Sequence, residues 1–463
     1  MPGSRMIVKS RMTLKTVIMT SHRSLTKIPL MMDGKMNKSE ENVGTLPLPT
    51  LKRLGFLPED FDGSKYTSQS WTNYINSIGM GKALYVQTLA EPIIQQLNHE
   101  AIILDYKKWA TIGMKPWLNA RQLVLSKIQE QLGIGMYSAR EDDQIVEHAR
   151  RKGVRIPSLN FQWLIEHRND APIIKLLLQK KNLDMKIFQW SKLSKFQNRD
   201  GEVSLSGAWN GYSSYSGRFT ARNLAMAALP KEMRQCYRAP RVHGKPGVYL
   251  SLDANQIELR LLAGAAQATR LLGQFQNGID IHKYFTSRLL GIPEREVTDT
   301  ERKLGKSLVY AFLYGAGKSK LDKIITKSNM RIIQAPSELL TTLYPQLMSL
   351  VDSFRDGDVL YYALQPTNVE PRIGPTWMQS SSKQNLPVQS ATSMLMKQVM
   401  TQINDKVKVV NVIHDEFICL CCFDEVDEIK AIIQDGFVQA TRSLGMALPA
   451  SNLLEATILG GYA

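Results

Sequence analysis

Residues 407–423 read VKVVNVIHDEFICLCCF. Two runs rich in Val, Ile, Phe and Cys flank a three-residue break, His414, Asp415 and Glu416. β-Rich runs separated by so short a polar break predict a hairpin with an acid at its tip. Upstream, VYLSLDA (248–254) predicts a short buried strand with Asp253 near its end. QIELRLLAGAAQATRLLGQF (256–275) follows with the pattern of a helix packed against that strand. Strands separated by helices, plus one hairpin, predict an α+β fold whose antiparallel or mixed sheet is backed by helices.

Residues 280–365 are largely helical in pattern. From about Trp71 to Leu193 the chain also reads as mostly helical. LAEPIIQQLNHEAIILDYKKW (89–109), ARQLVLSKIQEQLGIG (120–135) and DAPIIKLLLQKKNLDMKIFQWSKL (170–193) carry the runs. SGAWNGYSSYSGRFT (206–220) is rich in Gly, Ser and aromatic residues, which predicts irregular backbone. Residues 1–70 show little periodicity and predict a poorly ordered basic arm. The first 32 residues contain no Asp or Glu but include Arg5, Lys9, Arg11, Lys15, Arg23 and Lys27. That composition suits an organellar transit peptide, a DNA tether, or sequence upstream of a later start at Met31, Met32 or Met36.

The chain of 463 residues has a net charge of +16, so its long-range field favours a polyanionic partner, most commonly nucleic acid. Four cysteines without paired metal-ligand spacing predict buried, reduced thiols in an intracellular protein. No apolar run approaches the roughly 18 residues of a membrane span, so no membrane partner is expected.

Asp253 and Asp415 each end a strand-like run, and a basic helical segment, ERKLGKSLVYAFLYG (301–315), lies between them in sequence. A strand-end Asp is common in turns, so either acid alone says little. Together they match what nucleotidyl transfer requires. Magnesium takes one or two protein carboxylates and completes its shell with phosphates and water. Two such ions about 3.5–4 Å apart activate the attacking hydroxyl and hold the leaving pyrophosphate. On the intervening helix Arg302, Lys306, Tyr310 and Tyr314 recur every four residues. Such a face offers cations to phosphates and a ring to a base. A solvated amphipathic helix is the plainer alternative.

The motifs resemble those of family A DNA polymerases. DANQIELR (253–260) is similar to motif A, RKLGKSLVYAFLYG (302–315) to motif B and VIHDE (412–416) to motif C. SGRFTARNLAMAALP (216–230), RQCYRAP (234–240) and LPVQSATSMLMK (386–397) resemble further family segments. The resemblance implies a right-hand fold with an antiparallel palm sheet, a helical thumb (71–205) and helical fingers (281–365). The palm would be formed from 206–280 and 366–463. It also implies two Mg2+ ions on Asp253, Asp415 and the Ala254 carbonyl. Arg302 and Lys306 would bind the dNTP triphosphate, with Lys306 protonating the pyrophosphate and His282 contacting the β-phosphate side. Tyr310 and Tyr314 would pack at the incoming nucleotide and the templating position, and Glu258 would exclude a ribose 2′-hydroxyl. Arg218, Asn385 and Gln389 would face the primer-template minor groove, with Arg234 and Glu416 in support.

Departures from the family pattern are Tyr310 where Phe is usual, and Ala225, Ala227, Ala228 and Ser381 where polar or basic residues are usual, with Lys383 nearby. No Asp-x-Glu exonuclease motif is found on a strand, so proofreading is expected to be absent or supplied by a separate exonuclease, as is any processivity factor. The resemblance implies a DNA-templated DNA polymerase of the bacterial or phage-infected cytoplasm, or of an organelle. A single-subunit RNA polymerase and a catalytically degenerate primer-template-binding module are the competing readings. Glu258 and the intact Asp253, Lys306 and Asp415 argue against them.

Overall fold

A computed structural model describes residues 81–135, 141–157, 159–211, 213–214, 216–328, 330–354, 361–364, 369–373, 380–443 and 445–462. The basic arm expected over 1–70 lies outside these residues. The described chain is α+β and divides into two compact units. Among the described residues the first comprises those of 81–101, 206–228 and 249–458, and the second those of 102–205, 229–248 and 459–462. One limit coincides with the expected boundary at 205, while the others fall inside the expected segments, since 81–101 group with the first unit and 229–248 with the second.

The first unit is organised on a four-stranded sheet. Its strands are β1 (Gly247–Ala254), β2 (Val409–Ile413), β3 (Glu416–Cys422) and β4 (Leu454–Leu459), in the order β4-β1-β3-β2. β2 and β3 form the predicted antiparallel hairpin, with Glu416 opposite Ile413 and Phe417 opposite Val412. Glu416 therefore belongs to the strand, and the tip contracts to His414 and Asp415. His414 has φ +57°, a left-handed conformation that His adopts more readily than most residues. β1 is buried along its whole length except at Asp253. A strand covered on both faces reads as continuously apolar, which is why VYLSL shows no alternation.

The helices that bear on the site are α1 (Ile257–Ala265), α2 (Ile281–Leu290), α3 (Asp299–Leu313), α4 (Ser380–Ile403) and α5 (Val426–Ser443). α3 starts with a capping box in which the Thr298 hydroxyl accepts from Glu301 N and Glu301 accepts from Thr298 N. α2 and α3 approach so closely at Gly305 that a Cβ there would lie 1.9 Å from Thr286 Oγ1. Only glycine fits that contact.

Within the second unit, helices Lys115–Leu132 and Pro172–Ser191 pack through a core that includes Leu125, Ile128, Ile173 and Leu177. Lys180 Nζ lies 2.7 Å from Asp184 and 2.9 Å from Asp142, and Arg121 lies 2.5 Å from Asp184. One helical expectation is corrected here. Ile102–Asp105, inside the long run 89–109, is a strand paired antiparallel with Glu202–Leu205. Its burial alternates, with Ile102 and Leu104 inward, and Asp105 stops it by capping the next turn through Lys108 N at 2.9 Å. Ile-Ile-Leu fits both periods over so short a run, and pairing decides. In the first unit, 206–220 is less irregular than expected, since Ala208–Asn210 pairs with Thr220–Arg222 as a short antiparallel ribbon.

Candidate active site

β1 and β3 are neighbours, and the Ala254 N–H donates to the Asp415 carbonyl at 3.0 Å. That bond sets Asp253 and Asp415 at adjacent strand ends. On the other side of β1 the Asn255 N–H donates to Leu453 O at 2.8 Å. The Asp253 carboxyl, although its surface is open to solvent, is pushed up to about 6, first by partial desolvation against the neighbouring strands, then by the negative charges of Asp415, Glu416 and Glu455, with Lys306 opposing. Burial also raises Asp415, against its own backbone N–H, His414 and Arg218. Ser251 Oγ donates to Glu416 Oε1 and so ties β1 to β3 a second time.

Among the described residues no group of three or more His, Cys, Asp and Glu could hold a metal by itself. A site of two raised carboxylates suits a hard divalent cation whose remaining ligands come from substrate phosphates and water. Such a cation relieves the like-charge repulsion that lifts Asp253. The residues present therefore fit magnesium.

The motif B face lies on α3. Arg302 Nε is 2.5 Å from Asp280 Oδ2, and Asp280 also caps α2 through Lys283 N at 3.0 Å. Burial opposes ionisation of Asp280, but these bonds outweigh it and hold the carboxyl below its usual range. Lys306 is exposed, with Nζ 5.9 Å from the Tyr310 ring centroid. Tyr310 sits 5.8 Å from Tyr314 and 5.5 Å from His282, ring to ring. His282 is 1% exposed, and neither ring nitrogen has a hydrogen-bond partner in the protein. Burial first, then Lys306 and Arg302 against Asp280, push His282 down to about 4, so it is neutral at pH 7. Burial, then Glu258, Asp415 and Asp253, raise the Tyr310 phenol.

Glu258 stands at the start of α1. Its Oε1 lies 2.5 Å from Arg218 Nη2, and its Oε2 accepts from the Tyr314 hydroxyl. Burial raises its carboxyl, against the nearby Arg218. Arg218, Glu258, Tyr310, Tyr314, Lys306 and the two aspartates thus form one connected group by contact or electrostatic reach. Asn385 and Gln389 are half-buried on α4 on either side of Pro387, and Asn385 Oδ1 accepts no hydrogen bond. Arg234 is half-buried in the second unit, on the short helix Lys231–Cys236. The side chains of Ser381 and Lys383 lie outside the described residues.

The model of the family described as "DNA polymerase family A" matches residues 126–452. The chain belongs to DNA polymerase family A. DNA polymerase I of Chloroflexus aurantiacus is 24% identical over 279 residues, 56% of this chain and 29% of that protein. DNA polymerase I of Aquifex aeolicus is 22% identical over 297 residues, 60% of this chain and 50% of that protein. The chain therefore spans half or less of the length of these relatives. Among solved structures, the polymerase domain of Pol1 from M. smegmatis, in complex with DNA primer-template and dNTP, superposes with a TM-score of 0.64 at 16% identity. The match covers 86% of this chain and 73% of that one, and shows a common fold.

Three residues of this family A site escape a reading of the sequence. Asp280 anchors Arg302, and its position three residues before Lys283 is an N-cap signal that marks it. Glu455 adds charge at Asp253 from β4, with no signal in the sequence. Arg260, 2% exposed, donates to the carbonyls of Asn255, Pro449, Ser451 and Asn452, and its guanidinium lies 4.3 Å from the Phe275 ring centroid. It fixes the backbone just after Asp253. A second charged residue beside Glu258, within the apolar stretch of α1, was the available signal.

Proposed function

We propose that this chain is a DNA-templated DNA polymerase that extends a primer 3′-hydroxyl with dNTPs by a two-metal mechanism. The observation that carries the reading is the Ala254 N to Asp415 O bond, which makes Asp253 and Asp415 a pair at one end of the sheet. Asp253 and Asp415, with the Ala254 carbonyl, would hold two Mg2+ ions. Those ions would lower the pKa of the attacking hydroxyl and neutralise charge on the transferring phosphoryl group.

The chain's own residues position the reactants. Arg302, braced by Asp280, and exposed Lys306 bind the triphosphate, and Lys306 delivers a proton to the departing pyrophosphate. His282, neutral and without a partner in the protein, donates a ring N–H to a phosphate oxygen. Tyr310 packs on the nucleotide sugar and base, and Tyr314 occupies the templating position. Glu258, held by Arg218 and Tyr314, blocks a 2′-hydroxyl. Arg218, Asn385, Gln389 and Arg234 contact primer-template DNA, where minor-groove acceptors common to all base pairs allow shape to be checked without reading sequence. Positioning and charge neutralisation supply most of the rate.

The test is extension of a labelled primer on a DNA template, with dNTPs against NTPs and wild type against Asp415→Ala. Templated extension with dNTPs, lost in the variant, is expected. Tight primer-template binding without extension would favour the degenerate binding module, and efficient NTP use would favour an RNA polymerase.

A further inference from the structure

Lys397 on α4 is fully buried, at 0% exposure. An ammonium removed from water is stable only where its three protons meet acceptors. Its Nζ donates to Gly211 O at 2.5 Å and to Gly217 O at 2.6 Å, and lies 5.7 Å from the Phe219 ring centroid. Ser393, one turn earlier on α4, donates its hydroxyl to the same Gly217 carbonyl. Gly217 has φ +71°, and its N–H donates to Ser214 O at 3.0 Å. The Ser214 hydroxyl in turn reaches Arg218 O at 3.3 Å. One carbonyl thus takes two side-chain donors from α4, immediately before the residue whose guanidinium pairs with Glu258.

We propose that Lys397 is a positioning residue for sugar selection: it fixes the Gly217 carbonyl, which sets Arg218 against Glu258. The inference rests on the polymerase reading, with Glu258 as the group that excludes a 2′-hydroxyl. Lys397 acts only through Arg218. Without the clamp, the Gly217 peptide rotates, Arg218 leaves Glu258, and the Glu258 carboxylate loses the partner that orients it. Asn385, Gln389, Ser393 and Lys397 follow at four-residue intervals along α4. The helix that carries the proposed primer contacts therefore also anchors the loop bearing Arg218.

The test compares kcat/KM for a dNTP and the matching rNTP in primer extension. Lys397→Met keeps an unbranched apolar stem one atom shorter and removes the donors, and is expected to lower discrimination against the rNTP about tenfold. Lys397→Gln, which retains an N–H donor, is expected to recover part of it. In an Arg218→Ala background Lys397→Met is expected to cost no further discrimination, since both act on the same contact. Unchanged discrimination in Lys397→Met, or the same cost with and without Arg218, overturns the proposal. If Lys397→Met does not fold, as judged by its melting curve, Ser393→Ala is measured in its place. A partial loss of discrimination then supports the role and no loss overturns it. Absence of extension by the wild type overturns the polymerase reading and this inference with it. Extension with unaltered discrimination overturns the role of Lys397 alone.

Discussion

At Asp253 an ordinary carboxyl is raised to about 6 because partial desolvation and three neighbouring acids disfavour its charge. The unfolded value is about 3.9, so the folded metal-free protein binds the extra proton between about pH 4 and 6 and loses stability as pH rises through that window. Asp253→Asn is therefore expected to stabilise the metal-free protein at pH 7.5 by about 1 kcal/mol after solvent screening, with no gain at pH 4, as read from melting temperatures. In the presence of substrate the sign reverses, because a protonated Asp253 cannot ligate. The Mg2+ concentration for half-maximal extension should rise as pH falls from 8 to 6. Tyr310 carries a second residue-scale expectation. With Tyr310 packed on the nucleotide sugar as proposed, its hydroxyl would stand in for a missing sugar 3′-hydroxyl, so dideoxynucleotides should be incorporated readily. Tyr310→Phe should raise discrimination against them by about tenfold, and unchanged discrimination would refute this role. Asp253, Asp415 and the four motif B side chains were legible because each sits in a periodic local run. The engagement of Glu258 by Arg218 and Tyr314 was not, since a pair between distant segments leaves no local signature.

Between elements, α2 and α3 are held at a distance that only Gly305 permits, with Thr286 Oγ1 in the space a Cβ would need and donating to His282 O at 2.6 Å. Gly305→Ala should cost about 1–3 kcal/mol of stability and move Arg302 and Lys306 away from His282, raising KM for dNTPs. Adding Thr286→Ala should restore part of both losses. A Gly305→Ala protein with wild-type melting temperature and KM would contradict the contact. The hairpin and β1 were readable as continuous apolar runs that each end at an acid, and the helix after β1 by its apolar recurrence. Ile102–Asp105 was hidden in a helical run because four residues of Ile, Ile, Leu and Asp satisfy either period, and only the partner strand Glu202–Leu205 settles it. The ribbon at Ala208–Asn210 is shorter still, in a stretch whose Gly and Ser content signals turns.

For the whole molecule, the α+β class followed from strands, hairpin and helices in order, and the family from motifs A, B and C together. The two compact units were less legible, because 229–248 and 459–462 group with 102–205 through pairings such as Leu104 with Tyr237 that a linear reading does not contain. The +16 charge suits a nucleic-acid partner but does not locate its path. In the proposed mechanism Asp253 and Asp415 act as one catalytic unit at the β1–β3 strand ends. Single-turnover primer extension by wild type, Asp253→Asn, Asp415→Asn and the double variant decides this. Each single variant is predicted to lose about a thousandfold or more, and the double variant little beyond that, because groups that act as a unit are not additive. Near-wild-type extension by either single variant, or losses that multiply in the double variant, would contradict it.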